Sequence, residues 1–123
     1  MTTEDKQLLL KDLCARLPYK VICDMWFEGN ESDKITEVLK CGGLMRLTNS
    51  EFNFIAKPYL RPMSSMTEEE KKEYDHRLEC MFYDTMYDDA FAVDWLNAHH
   101  FDFRGLINKG LAFEALEGMY KEI

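Results

Sequence analysis

The spacing of apolar residues along the chain changes several times, and each change predicts a different element. Over residues 3–17, Leu10, Leu13, Cys14 and Leu17 recur at i, i+3, i+4 and i+7, the repeat of one helix face, with Thr2 and Asp5 offering a capping box. Pro18 ends that helix, because proline disfavours helical geometry in the residue before it. From Tyr19 the period falls to two: Val21, Cys23, Met25 and Phe27 alternate with Lys20, Ile22, Asp24 and Trp26, a strand pattern that sends Asp24 toward solvent. A polar turn over residues 28–33 follows, then a second strand at residues 35–41. Gly42-Gly43 separates it from a third strand, residues 44–47, as a two-residue hairpin, and a fourth runs from Phe52 to Lys57.

Beyond residue 57 the pattern turns helical again. Pro58 and Pro62 remove two backbone donors, which predicts an extended connection in place of a central strand. Thr67 and Glu70 form a second capping box, and Tyr74, Leu78, Met81 and Phe82 continue at helical spacing as a packing face, up to a break near Tyr87-Asp88-Asp89. Ala92, Trp95, Leu96 and His99 share one side of a short helix over residues 90–100, and Gly105 and Gly110 limit the remainder to turns and short pieces. The expected fold is α+β and a single domain over residues 1–123. It comprises an N-terminal helix, a four-stranded antiparallel meander, and two or more C-terminal helices packed on one face.

Composition excludes several classes. With 46% hydrophobic residues among 123, the chain has material for one core and is not of disordered type. No apolar run approaches the ~20 residues of a membrane span. Residues Met1 to Lys6 are polar and acidic, which predicts no signal peptide and a cytoplasmic location; the four spaced cysteines then read as reduced thiols. The net charge is −8, and residues 68–94 hold ten acids against three bases, which leaves −7 in that one segment. Direct nucleic-acid binding is disfavoured there, whereas a basic protein surface is attracted.

Candidate chemistry is sparse. His76 and Cys80 stand at i and i+4, a spacing that puts two metal ligands on one helix face, and His99-His100 is an adjacent pair whose side chains diverge by about 100°. A small metal- or nucleotide-binding domain or enzyme built on these four residues is one alternative; a self-associating structural protein is another. Gly-x-Ser-x-Gly, a phosphate-cradling glycine loop and His-Glu-x-x-His are all missing from the sequence, so no catalytic residue and no cofactor is assigned. The acidic segment with its aromatics points instead to protein binding: Glu69, Glu73, Asp84, Asp88 and Asp89 would steer a basic partner, and Tyr87, Tyr59 and Arg61 are residue types favoured in interface cores.

Three stretches carry a resemblance. Residues 8–19 (Leu8 to Tyr19), 57–73 (Lys57 to Glu73) and 94–107 (Asp94 to Ile107), continued by Glu117-Gly118-Met119-Tyr120, resemble a group of small proteins of gut bacteria and their phages or prophages. The resemblance implies a mobile-element origin and an accessory, host-modulating role. It carries no site residue, ligand or cofactor with it.

Overall fold

The computed structural model describes residues 2–49, 51, 53–83, 86 and 90–120. Helix α1 spans Thr3–Arg16, and its start is capped as the sequence predicts: the Thr2 hydroxyl accepts from the Asp5 amide at 3.0 Å. The face it buries is not the expected one. Leu9, Asp12, Leu13 and Arg16 point inward, while Cys14 is exposed. A buried Asp–Arg pair one turn apart rotates the helix away from the purely apolar stripe.

Strand β1 (Ile22–Phe27) pairs antiparallel with β2 (Ile35–Val38) on one side and with β3 (Phe54–Pro62) on the other. The hairpin expected at Gly42-Gly43 is replaced by helix α2 (Cys41–Thr48). Neither glycine adopts a positive φ. Gly43 instead lets the helix lie close: a Cβ there would stand 3.1 Å from the Leu39 side chain and 3.4 Å from the Met25 sulfur. Leu44 and Leu47, one turn apart, turn inward from α2, so a sequence that reads as a strand is used at helical spacing.

Strand β3 also departs from expectation, since it runs through both prolines and lies inside the sheet. Pro58 is its last residue opposite β1, and Pro62 its last opposite β4 (Phe101–Asp102), so neither interrupts a ladder. β4 and β5 (Phe113–Glu114) both pair with β3 in parallel. The sheet is therefore mixed, ordered β2-β1-β3-β4 with β5 also against β3, and is not a meander. The chain between β3 and β4 contains α3 (Glu68–Tyr83) and α4 (Phe91–Ala98), long enough to return in the parallel sense. The fold is α+β, as expected.

The main core gathers Leu9 and Leu13 of α1, Val21, Cys23 and Met25, Leu39 and Leu47, Ala56 and Leu60, and Leu106 and Leu111 of the C-terminal segment. A second cluster joins Trp95, Leu96 and Phe101, with Tyr74 of α3 stacked on Trp95 at 5.7 Å. Among the described residues, no helix is long and apolar enough to cross a membrane.

Candidate functional site

Helix α3 is fastened at its start and along one face. The Thr67 hydroxyl accepts from the Glu70 amide (3.2 Å) while Glu70 Oε1 accepts from the Thr67 amide (2.9 Å), the reciprocal capping box read from the sequence. Arg61 of β3 donates twice to the Glu70 carboxylate, 2.7 Å each, and stacks over the Phe101 ring at 4.2 Å. Those Arg61 hydrogen bonds, with the Thr67 amide, hold the Glu70 carboxyl down at about 2, against the opposing effect of burial. His99 Nδ1 lies 3.7 Å from Glu70 Oε2, and its ring packs on Trp95; burial lowers its proton affinity. Further along, Arg77 donates to the Phe91 carbonyl at 3.1 Å, and Met81 sulfur accepts from the Ala92 amide.

The rest of α3 faces outward, and none of its described residues is fully buried. Glu68, Glu69, Glu73, Asp75 and Glu79 are exposed. Leu78 and Phe82, expected on a packing face with Tyr74 and Met81, also turn to solvent: Phe82 is 81%, Tyr83 82% and Met86 90% exposed. The Phe82 and Tyr83 rings meet edge-on at 5.0 Å. At 100° per residue, Leu78 and Phe82 lie on one flank of the helix and Glu69, Glu73, His76 and Cys80 on the other, with the anchored face between.

The other predicted site residues fall in different places. Asp84, Tyr87, Asp88 and Asp89, and the expected break among them, lie outside the described residues. Tyr59 is half-buried; its hydroxyl donates to Asp24 Oδ2 at 2.8 Å and its ring packs against Phe113. Asp24 itself is 3% exposed, not solvent-facing, and accepts from the Thr36 hydroxyl, with Lys34 Nζ at 3.6 Å. Arg61, as above, is committed to Glu70. His76 Nε2 and Cys80 Sγ approach to 3.7 Å on the outer flank of α3. His99 and His100 do not join them. Among the described residues, no group of three or more His, Cys, Asp or Glu side chains is placed to hold a metal ion.

His100 belongs to a buried polar cluster that the sequence reading missed. Arg16 Nε donates to both Asp12 oxygens (3.0 and 2.9 Å), and Arg16 Nη2 donates to the Phe101 carbonyl at 2.5 Å. Arg104 Nη1 reaches the same Asp12 at 2.6 Å. His100, in left-handed conformation (φ 63°), stacks on Tyr120 with centroids 3.6 Å apart. The Tyr120 hydroxyl donates to the Tyr59 carbonyl (2.6 Å) and accepts from the Ile22 amide (3.0 Å), where β1 parts from β3. Burial, with Arg16 and His99 nearby, pulls His100 down to about 4, so it is neutral in neutral solution. Most of these groups pair with one another and face the core, but among the described residues Arg16 Nη1 and His100 Nδ1 are buried with no hydrogen-bond partner. Their arrangement ties α1 to the C-terminal segment.

Two open grooves mark the described surface. One, about 670 Å³, runs between Arg61, Thr67 and Glu70 and residues 114–120; its Arg61 and Glu70 neutralise each other. The other, about 300 Å³, lies between β1, β2 and α2 and includes Trp26, Phe27 and Ile35. No family model matches the chain, and comparisons with curated proteins and with solved structures give no match.

Proposed function

We propose that this protein is a small, non-enzymatic, protein-binding accessory factor, of phage or other mobile-element origin, that modulates a host protein by docking α3 onto it. The supporting observation is the outer end of α3. Leu78, Phe82 and Tyr83 are large apolar residues exposed on a helix whose remaining outward positions are rich in carboxylates, and Met86 is exposed beyond its end. Scattered single apolar residues on a surface are ordinary, but a cluster with two aromatic rings in contact is of the kind that anchors interfaces. The acidic surround defines the partner's chemistry: an apolar cleft bordered by Lys and Arg, reached by electrostatic attraction. Anchorage by Arg61, Thr67 and Arg77 keeps the helix in place without consuming these exposed side chains, so little ordering is needed on binding.

The test is retention of a partner from host extract, its identification, and affinity measurement with the purified pair. Phe82→Ala with Tyr83→Ala is expected to weaken binding at least about thirtyfold, the scale of a hot-spot loss. Reversing charge at Glu69, Glu73, Asp84 and Asp88 is expected to slow association and flatten its salt dependence. Unchanged affinity in the aromatic variant, with circular dichroism unaltered, would remove α3 from the reading.

A further inference from the structure

We infer that His76 and Cys80 are one half of a zinc-class metal site that a second copy of this chain completes, joining two α3 helices through one ion. The first support is the distance. In a tetrahedral zinc site, with Zn–S about 2.3 Å and Zn–N about 2.0–2.1 Å, two neighbouring donor atoms stand about 3.6 Å apart. His76 Nε2 and Cys80 Sγ stand 3.7 Å apart, within hydrogen-bonding reach of each other and close to that donor separation. The pair is already set at the separation the metal demands, so binding requires little rearrangement of either side chain.

The second support is the surroundings. His76 is exposed, Cys80 is partly so, and no described residue of α3 is fully buried, so the flank that carries them has room for another helix. The exposed Cys14 and Cys41 have no histidine four residues away on either side, so this pairing is specific to Cys80. The donors, one thiolate and one imidazole, suit zinc better than magnesium or calcium, which prefer oxygen.

The third support is the ligand count. A closed zinc site takes four protein ligands, and among the described residues no third His, Cys, Asp or Glu joins this pair. A two-fold axis beside the helix supplies each donor twice and yields a Cys2His2 set, the usual symmetry of a homodimer. Glu69 and Glu73 share the flank with His76, so two copies brought face to face repel one another, and the dimer holds only where the metal–ligand bonds outweigh that repulsion. Each cysteine gives up its thiol proton on binding, and two thiolates balance the charge of one Zn²⁺, so two protons leave per ion bound. Leu78 and Phe82 lie on the opposite flank, whereas Tyr83, Glu69 and Glu73, which the protein-binding reading also uses, lie on the metal's flank; a zinc titration without any partner protein tests the metal site separately.

The experiment is titration of the full chain, kept reduced, with zinc alone, followed by native mass spectrometry and sedimentation. The expected result is a monomer in EDTA that becomes a dimer holding one zinc per two chains, and reverts when EDTA is restored. Cobalt in place of zinc is expected to show the thiolate charge-transfer and tetrahedral d–d bands of an S2N2 site. His76→Ala and Cys80→Ser should each lower metal affinity about a hundredfold or more and abolish the zinc-dependent dimer, while Cys14→Ser and Cys41→Ser leave both intact. Circular dichroism of the two α3 variants should be unchanged, since both side chains lie outside the core. One zinc per chain without dimer formation, zinc binding indifferent to His76 and Cys80, or a dimer that persists in EDTA would each overturn the site.

Discussion

Helices α1 and α3 are of similar length, 14 and 16 residues, and both are rich in charge, yet they use it in opposite ways. In α1, Asp12 and Arg16 are turned inward to 0% exposure and locked to each other, to Arg104 and to the Phe101 carbonyl. In α3, one acid, Glu70, is tied down at the helix start and the others stay in water. A charge removed from water must find its partners inside the molecule, so burying the α1 pair makes that helix depend on distant segments. The α3 charges make no such demand, and the helix keeps an outward surface available. Two similar compositions thus yield a structural tie in one case and a surface for encounter in the other.

The comparison breaks most sharply at Asp12. Asp12→Ala leaves Arg16 and Arg104 without their shared carboxylate, and a buried charge stripped of its partner costs about 3–5 kcal/mol. Urea denaturation should show that loss; a change below about 1 kcal/mol would mean that water already reaches Arg16. Acid is the next test. His100 falls from its ordinary 6.5 to about 4 in the fold, so between those values the unfolded chain takes up a proton that the native state refuses. Its contribution is fully present above about pH 6.5 and declines as pH falls toward 4, by about 3 kcal/mol in all, with no further loss below. His100→Asn, which tolerates the left-handed backbone, should remove that slope; Glu70, held at about 2, governs a separate loss between roughly pH 4.5 and 2.

A smaller effect is expected at Tyr120. Tyr120→Phe keeps the stack on His100 but leaves the Ile22 amide and the Tyr59 carbonyl unbridged, a loss of about 1–3 kcal/mol in the same urea measurement. The smallest effect lies on α3. Phe82→Ala, alone or with Glu69→Lys and Glu73→Lys, should change stability by no more than about 0.5 kcal/mol. A larger loss would show that this flank packs on something within the chain and would narrow the contrast with α1.

Local signals were legible in the sequence, and distant ones were not. The Thr2 cap, the Thr67–Glu70 box, helices α1, α3 and α4 and the existence of strand β1 depend on neighbours within a few residues, and each is present; the strict alternation expected of β1 is not, since Asp24 is buried and Phe27 exposed. Gly42-Gly43 misled because a glycine pair suits a hairpin and equally suits close approach of a helix; the deciding contacts, Leu39 and Met25, belong to other elements. The prolines misled because proline is excluded from a ladder only where its nitrogen must donate, and register alone determines that. Asp24 and Arg16 look like solvated residues until Thr36, Tyr59, Phe101 and Arg104 arrive around them. The same reasoning applies to the candidate surface. Glu69 and Glu73 read as exposed from helical spacing, whereas Tyr59 and Arg61 read as available because Asp24 and Glu70, which hold them, lie elsewhere in the chain.

The Tyr120 hydroxyl meets Ile22 across 98 positions of sequence, and Arg104 meets Asp12 across 92. On the ribosome, the first helix and first strand emerge many residues before the groups that complete them. At about 5–20 residues per second, the growing chain spends several seconds with Asp12 and Arg16 lacking their distant partners. The nascent chain closes this core only once residues 104–120 are made, when a single tyrosine slots into the gap between two strands. A cell translating this message slowly would prolong the interval in which the half-made chain is open to capture or degradation.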